Sequence, residues 1–121
     1  MPAAAKILVV DDEPSMRDLL RLHLSNHGYE VLAAEDAVVA GHLVLKEKPD
    51  LLIVDVHMPY MDGYEFVAAL KKDPETRDIP VVFLSTDDNV ATQANRLGAA
   101  AYLSKPVMAD RLLEVVRLYV A

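Results

Sequence analysis

The chain has no cysteine, only 4 glycines in 121 residues, and no apolar run approaching membrane length. Without cysteine there is no disulfide framework and no thiolate metal site. With 53% hydrophobic residues, 26% charged residues and so little glycine, a disordered or low-complexity chain is excluded. The missing apolar run leaves no membrane span. The first ten residues, "MPAAAKILVV", lack the charged start, long apolar stretch and cleavage site of a signal peptide, so a cytoplasmic location away from membranes is expected. Basic charge is also scarce. Twelve Lys and Arg against 19 Asp and Glu leave a formal charge of −7, and no Lys/Arg stripe reverses it locally. Direct nucleic-acid binding is therefore not expected.

What is present fits one domain over residues 1–121. Five short apolar runs predict strands: "KILVV" (6–10), "YEVLAA" (29–34), "LLIVD" (51–55), "PVVFLS" (80–85) and "AAYLS" (100–104). Amphipathic segments alternate with them. The first opens at Pro14, carries Met16, Leu19, Leu20 and Leu24 on one face, and stops at Gly28. The second starts near Asp36, turns Ala37, Ala40, Gly41 and Val44 inward, and ends before Pro49. The third, from Gly63 to Asp73, groups Phe66, Val67 and Leu70. The fourth, from Asp88 to Leu97, has only Ala91, Ala94 and Leu97 at core spacing. The fifth, from Met108 to Val120, points Leu112, Val115, Val116 and Tyr119 inward and leaves Leu113 and Val120 on a flank, as core edge or partner surface. Strict alternation of strand and helix implies right-handed crossovers and an α/β fold: a three-layer doubly wound sandwich around a five-stranded parallel sheet. The second strand carries Glu30 in mid-run and belongs at an edge, which gives strand order 2-1-3-4-5.

In such a sheet the C-terminal strand ends share one edge. Asp11 and Asp12 follow the first strand, Asp55 ends the third, Ser85 and Thr86 close the fourth, and Lys105 with Pro106 follows the fifth. Three carboxylates about 5 Å apart repel by roughly 3 kcal/mol per pair at an effective dielectric of about 20. An all-oxygen donor set without histidine or cysteine selects a hard divalent cation, Mg²⁺, with Mn²⁺ as a substitute. Lys105 adds a point charge and Ser85 a hydroxyl. Together they describe a pocket for phosphoryl oxygens in which Asp55 is the nucleophile. Taken singly, the acidic pair reads as caps of the first helix, Asp55 as a turn residue, Ser85 as a cap of the fourth helix, and Lys105 as solvated. Their convergence on one edge favours the joint reading.

Four motifs in order, "ILVVDDEP", "LLIVDVHMPYMDGYEF", "VVFLST" and "AYLSKP", resemble the response-regulator receiver domain of two-component signalling, over essentially the whole chain. The resemblance implies a flavodoxin-like fold and a phosphoacceptor at Asp55, charged from a phosphohistidine on a sensor kinase or histidine phosphotransfer protein. The chain would then be a signalling phosphoacceptor rather than an enzyme, one that assists its own phosphorylation and dephosphorylation. Asp11, Asp12 and Asp55, with the backbone carbonyl of His57, would hold Mg²⁺. Ser85 and Lys105 would grip the phosphoryl oxygens, Ser85 and Tyr102 would form the switch, and a cis bond before Pro106 would aim Lys105. The face built from the fourth helix, fifth strand and fifth helix would report to a downstream protein or output domain, and a homodimer through that face is left open.

His57, Thr86 and Asp87 would tune rates, although Asp87 has a plainer reading as a cap of the fourth helix and His57 as a solvated loop residue. His23, His27 and His42 read as surface residues, and Met16, Met58, Met61 and Met108 as apolar gap-fillers. A flavodoxin is disfavoured because "DDEPSMR" would repel a phosphate, and a haloacid-dehalogenase-type phosphatase because its nucleophile ends the first strand. The remaining rival is a degenerate receiver that acts as a phosphorylation-independent interaction module.

Overall fold

Each apolar run alternates two sets of side chains, and this period of two splits the core into halves on either side of the sheet. The structure, a computed structural model, describes residues 4–120. Its strands are β1 (Lys6–Val10), β2 (Glu30–Ala34), β3 (Leu51–Asp55), β4 (Val81–Ser85) and β5 (Ala101–Ser104). Its helices are α1 (Pro14–Ser25), α2 (Ala37–Glu47), α3 (Gly63–Lys72), α4 (Val90–Leu97) and α5 (Ala109–Tyr119). All strand pairs are parallel, in the order β2-β1-β3-β4-β5, as the sequence predicts.

On one side Leu8, Val10, Leu52, Val54, Val81 and Phe83 meet α2, α3 and α4. On the other, Ile7, Val9, Leu51, Ile53, Val82 and Leu84 meet α1 and α5. The three central strands are covered on both faces, which is why they read as unbroken aliphatic runs. Every residue of β3 and β4 is buried. β2 lies at one edge, as the sequence points to, with Glu30 at its exposed start.

Several helix-face expectations need correction. Leu19 is 40% exposed, so the inner face of α1 rests on Leu20 and Leu24. In α4 the buried pair is Val90 and Ala94, with Ala91 outside. Tyr119 of α5 is not inward but 39% exposed, with its hydroxyl donating to the Ala100 carbonyl at 2.8 Å, while Leu113 and the following Val120 are buried as core edge, one of the two roles open to them. Longer side chains on two faces of α5 wrap the sheet, and a phenol satisfies its polar end at the rim. Met16 and Met58 pack against the core as expected, but Met61 and Met108 are exposed.

Two local devices place the loop after β3. The Asp62 side chain accepts from the Glu65 N–H at 2.8 Å while the Glu65 side chain accepts from the Asp62 N–H at 3.4 Å, a capping box that starts α3. Gly63 then runs against the end of β3: a Cβ there would fall 2.5 Å from the Asp55 carbonyl oxygen and 2.9 Å from Val56 Cα. Only glycine allows that approach, and the Gly63 N–H donates to the Val56 carbonyl at 2.8 Å.

Candidate functional site

The turn after β1 is drawn inward by its own backbone. The Asp11 N–H donates to the Ala34 carbonyl at 3.1 Å, and Arg17 reaches back from α1 to the Asp11 carbonyl at 2.7 Å. Asp11 is thereby fully buried, while Asp12 stays exposed. Neither caps α1. Its N-cap residue is Glu13, whose N–H donates to Asp11 Oδ1 at 2.9 Å, and no side chain caps the helix. Asp55, the last residue of β3, is 2% exposed. Carboxylate oxygens from Asp11, Asp12 and Asp55 lie within 4.8 Å of one another.

Lys105 enters this cluster from the end of β5, where its N–H is held by the Ser85 carbonyl at 3.0 Å and its bond to Pro106 is cis. Its ammonium lies 3.1 Å from Asp55 Oδ1, 3.5 Å from Asp11 Oδ2 and 3.9 Å from Glu13 Oε1. At 3.5 Å it is a charge neighbour of Asp11 rather than a hydrogen-bond donor, and the buried Oδ2 has no hydrogen-bond partner.

Burial dominates the electrostatics. It pushes the Asp11 carboxyl up to about 6, with the Asp55 charge adding to the effect and the Glu13 N–H and Lys105 opposing it. Burial likewise raises Asp55, partly offset by Lys105 and by the His57 N–H, which donates to Asp55 Oδ1 at 3.4 Å. For Lys105, burial would lower the ammonium, but Asp55, Asp11 and Glu13 together hold it above its ordinary value. One cation therefore serves several crowded anions, and the site favours a second positive charge.

Ser85 is 1% exposed at the end of β4, beside the Asp55 end of β3, and its hydroxyl accepts from the Asp87 N–H at 2.8 Å. Among the described residues no hydrogen bond links that hydroxyl to Asp55 or Lys105. Tyr102 stands opposite Phe83 in register but is 41% exposed, turned away from the core. Thr86 is exposed at the rim. One plain expectation fails here. Asp87 does not cap α4, whose N-cap residue is Asn89 without a side-chain bond; its carboxylate instead meets His57 Nε2 at 3.0 Å. His57, with 62% of its side chain exposed, is thus a solvated loop residue that also pairs with Asp87. This contact ties the β3–α3 loop to the β4–α4 loop. His23 is half-buried, whereas His27 and His42 are exposed.

Sequence reading missed Glu13, Arg17 and Tyr64. The signal for the first two was proximity, since Glu13 shares the loop with the acidic pair and Arg17 stands one helical turn later. Tyr64 sits edge-on to Phe83 at 5.1 Å, with its hydroxyl buried and unpartnered.

The sequence profile of the response regulator receiver domain matches residues 7–117. The chain belongs to that family. PilH of Pseudomonas aeruginosa is 38% identical over 119 residues, covering 97% of this chain and 98% of PilH. The response regulator MprA of Mycobacterium leprae is 39% identical over 114 residues, and the chain spans about half (49%) of its length. The chemotaxis protein CheY4 of Vibrio cholerae superposes with a TM-score of 0.91 at 33% identity, covering 98% of this chain and 100% of CheY4. The receiver family is a signalling phosphoacceptor family in two-component systems, and it normally binds Mg²⁺ through acidic residues. This receiver domain carries an aspartate cluster suited to that role, and among its described residues no helix is long and apolar enough to cross a membrane.

Proposed function

We propose that this receiver domain accepts a phosphoryl group on Asp55 from a phosphohistidine of a sensor kinase or histidine phosphotransfer protein. The observation that carries this reading is the ion pair of Lys105 with Asp55 at 3.1 Å inside a cluster of three carboxylates. A buried carboxylate attacks only as the anion, and Lys105 opposes the protonation that burial favours at Asp55. An Asp55 oxygen forms the new bond to phosphorus as the phosphorus–nitrogen bond breaks, and the electron pair leaves with the histidine.

The donors fit a hard divalent cation: they are all oxygens, and the buried Asp11 Oδ2 has no hydrogen bond. Asp11, Asp12 and Asp55, with the His57 carbonyl, would hold Mg²⁺ or Mn²⁺. Bound there, the ion would supply charge neutralisation for phosphoryl oxygens. Lys105 binds one such oxygen. Ser85 binds another by turning its hydroxyl away from the Asp87 N–H. The space it leaves beside β4 lets Tyr102 turn inward, and the α4, β5 and α5 face changes shape for a downstream protein or output domain. Full reversal of such a two-state switch takes about 5.5 kcal/mol of differential stabilisation, within reach of several charge-assisted hydrogen bonds. His57, Thr86 and Asp87 rim the opening and set how fast water removes the phosphoryl group. Cytoplasmic action on proteins, without direct nucleic-acid contact, is consistent with the charge of −7.

Incubation with acetyl phosphate and Mg²⁺, followed by intact mass, tests the reading. One added phosphoryl group is expected, lost in Asp55→Asn and in chelator. No adduct together with no Mg²⁺ binding would assign the chain to the degenerate, phosphorylation-independent modules.

A further inference from the structure

Between α2 and α3 lies an open groove of about 530 Å³, lined mostly by apolar side chains. Ten large apolar side chains are exposed among the described residues, and four of them, Val38, Leu45, Tyr60 and Met61, stand along this groove. Such clustering, unlike singly scattered apolar residues, marks an interaction surface. Tyr60 is 94% exposed, and its φ of 72° holds a bulky non-glycine residue in the left-handed region. That conformation costs on the order of 1–3 kcal/mol and tends to persist where it serves a function. The strain places an aromatic ring at the groove's end, in open solvent. The lining also carries two carboxylates, Asp36 and Asp73, and no lysine or arginine. Each uses one oxygen to accept a backbone N–H, from Val39 and Glu75 respectively, both at 2.9 Å. Neither forms an ion pair among the described residues.

We propose that this groove docks an amphipathic helical segment of a partner protein, with its apolar side chains between α2 and α3 against Tyr60 and Met61 and its Lys or Arg side chains beside Asp36 and Asp73. The walls are helices of 11 and 10 residues, so the groove runs for about 15 Å, enough for about three turns of a docked helix. Charge selects the occupant. A second copy of this chain would bring a net −7 and the same two carboxylates against their own kind, whereas a basic amphipathic helix answers both the apolar floor and the acidic rim. This surface lies beyond the phosphoryl site, and the proposal does not rest on chemistry at Asp55.

The test titrates the ¹⁵N-labelled full chain with a peptide of about 14 residues, long enough to form a helix, with leucines on one face and lysines on the other. Two control peptides replace every Leu by Ser, or every Lys by Glu. The Leu/Lys peptide is expected to move amide signals in 36–45 and 60–76, and each control to bind about tenfold more weakly. Tyr60→Gly suits the positive φ and removes the exposed ring, so the variant folds and is expected to bind about fivefold more weakly. The double variant Asp36→Asn, Asp73→Asn keeps an oxygen to accept from the Val39 and Glu75 N–H groups while removing the charges, and the same loss is expected. Shifts confined to another face, no binding of the Leu/Lys peptide, equal binding of the Ser control, or full affinity in both variants would each overturn the proposal. A dimer of the chain alone that Tyr60→Gly dissociates would overturn it too, by giving the groove to a second copy.

Discussion

Ile53 and Asp55 stand two residues apart on β3 and are almost equally inaccessible, at 0% and 2% exposed. Ile53 is enclosed by apolar side chains of α1 and α5 and of its neighbouring strands, so its burial stabilises the fold by about 1.5–3 kcal/mol. Asp55 meets one ammonium and two other carboxylates, and its burial works against its ionised form. The same depth thus has opposite energetic signs along one strand. The body of the sheet supplies the stability that lets its C-terminal edge hold charges close together, and this crowding leaves three carboxylates there with one buried ammonium among them.

The largest effect that separates the two regions is expected from Asp55→Asn. It should abolish the phosphoryl adduct in intact mass while raising the thermal midpoint by a few degrees, because a crowded buried charge is removed. A lower midpoint would break the comparison. Ile53→Ala should do the reverse, costing about 2–5 kcal/mol in denaturant unfolding while leaving phosphorylation of the folded fraction intact.

A pH series sharpens the comparison. Asp11 stands at about 6 when folded, against an ordinary 3.8, so the folded chain holds its proton more tightly. The corresponding stability is fully present below the ordinary value and is lost as pH rises through about 6. In chelator, Asp11 should make the unfolding free energy greater at about pH 5 than at about pH 7 by about 1–2 kcal/mol, a contribution lost in Asp11→Asn, which leaves only the smaller dependence due to the other raised carboxyl, Asp55. The smallest effect concerns the rim. Asp87→Ala frees His57 from its 3.0 Å contact. The adduct should then decay faster by a factor of about 2–5, followed by intact mass over time, with little change in stability.

The edge residues were legible because parallel topology collects strand ends, and each strand announced its end with a polar residue after an apolar run. The rim was less legible. His57 and Asp87 lie 30 positions apart, on two loops whose approach depends on how α3 and α4 leave the sheet. Each therefore read locally, as a solvated histidine and a helix cap. The inner faces of α1 and α5 were misjudged at Leu19 and Tyr119 for a similar reason. Helical period assigns a stripe, but the width of that stripe depends on how a helix lies across the twisted sheet.

Strand order, the two-sided core and the meeting of Asp11, Asp12, Asp55 and Lys105 follow from local pattern, since alternation and strand ends are properties of short segments. The pairing of His57 with Asp87, the close approach of Gly63 to β3 and the exposed Tyr60 beside an apolar groove were decided only in three dimensions. They depend on distances between loops and helices, which no short segment encodes.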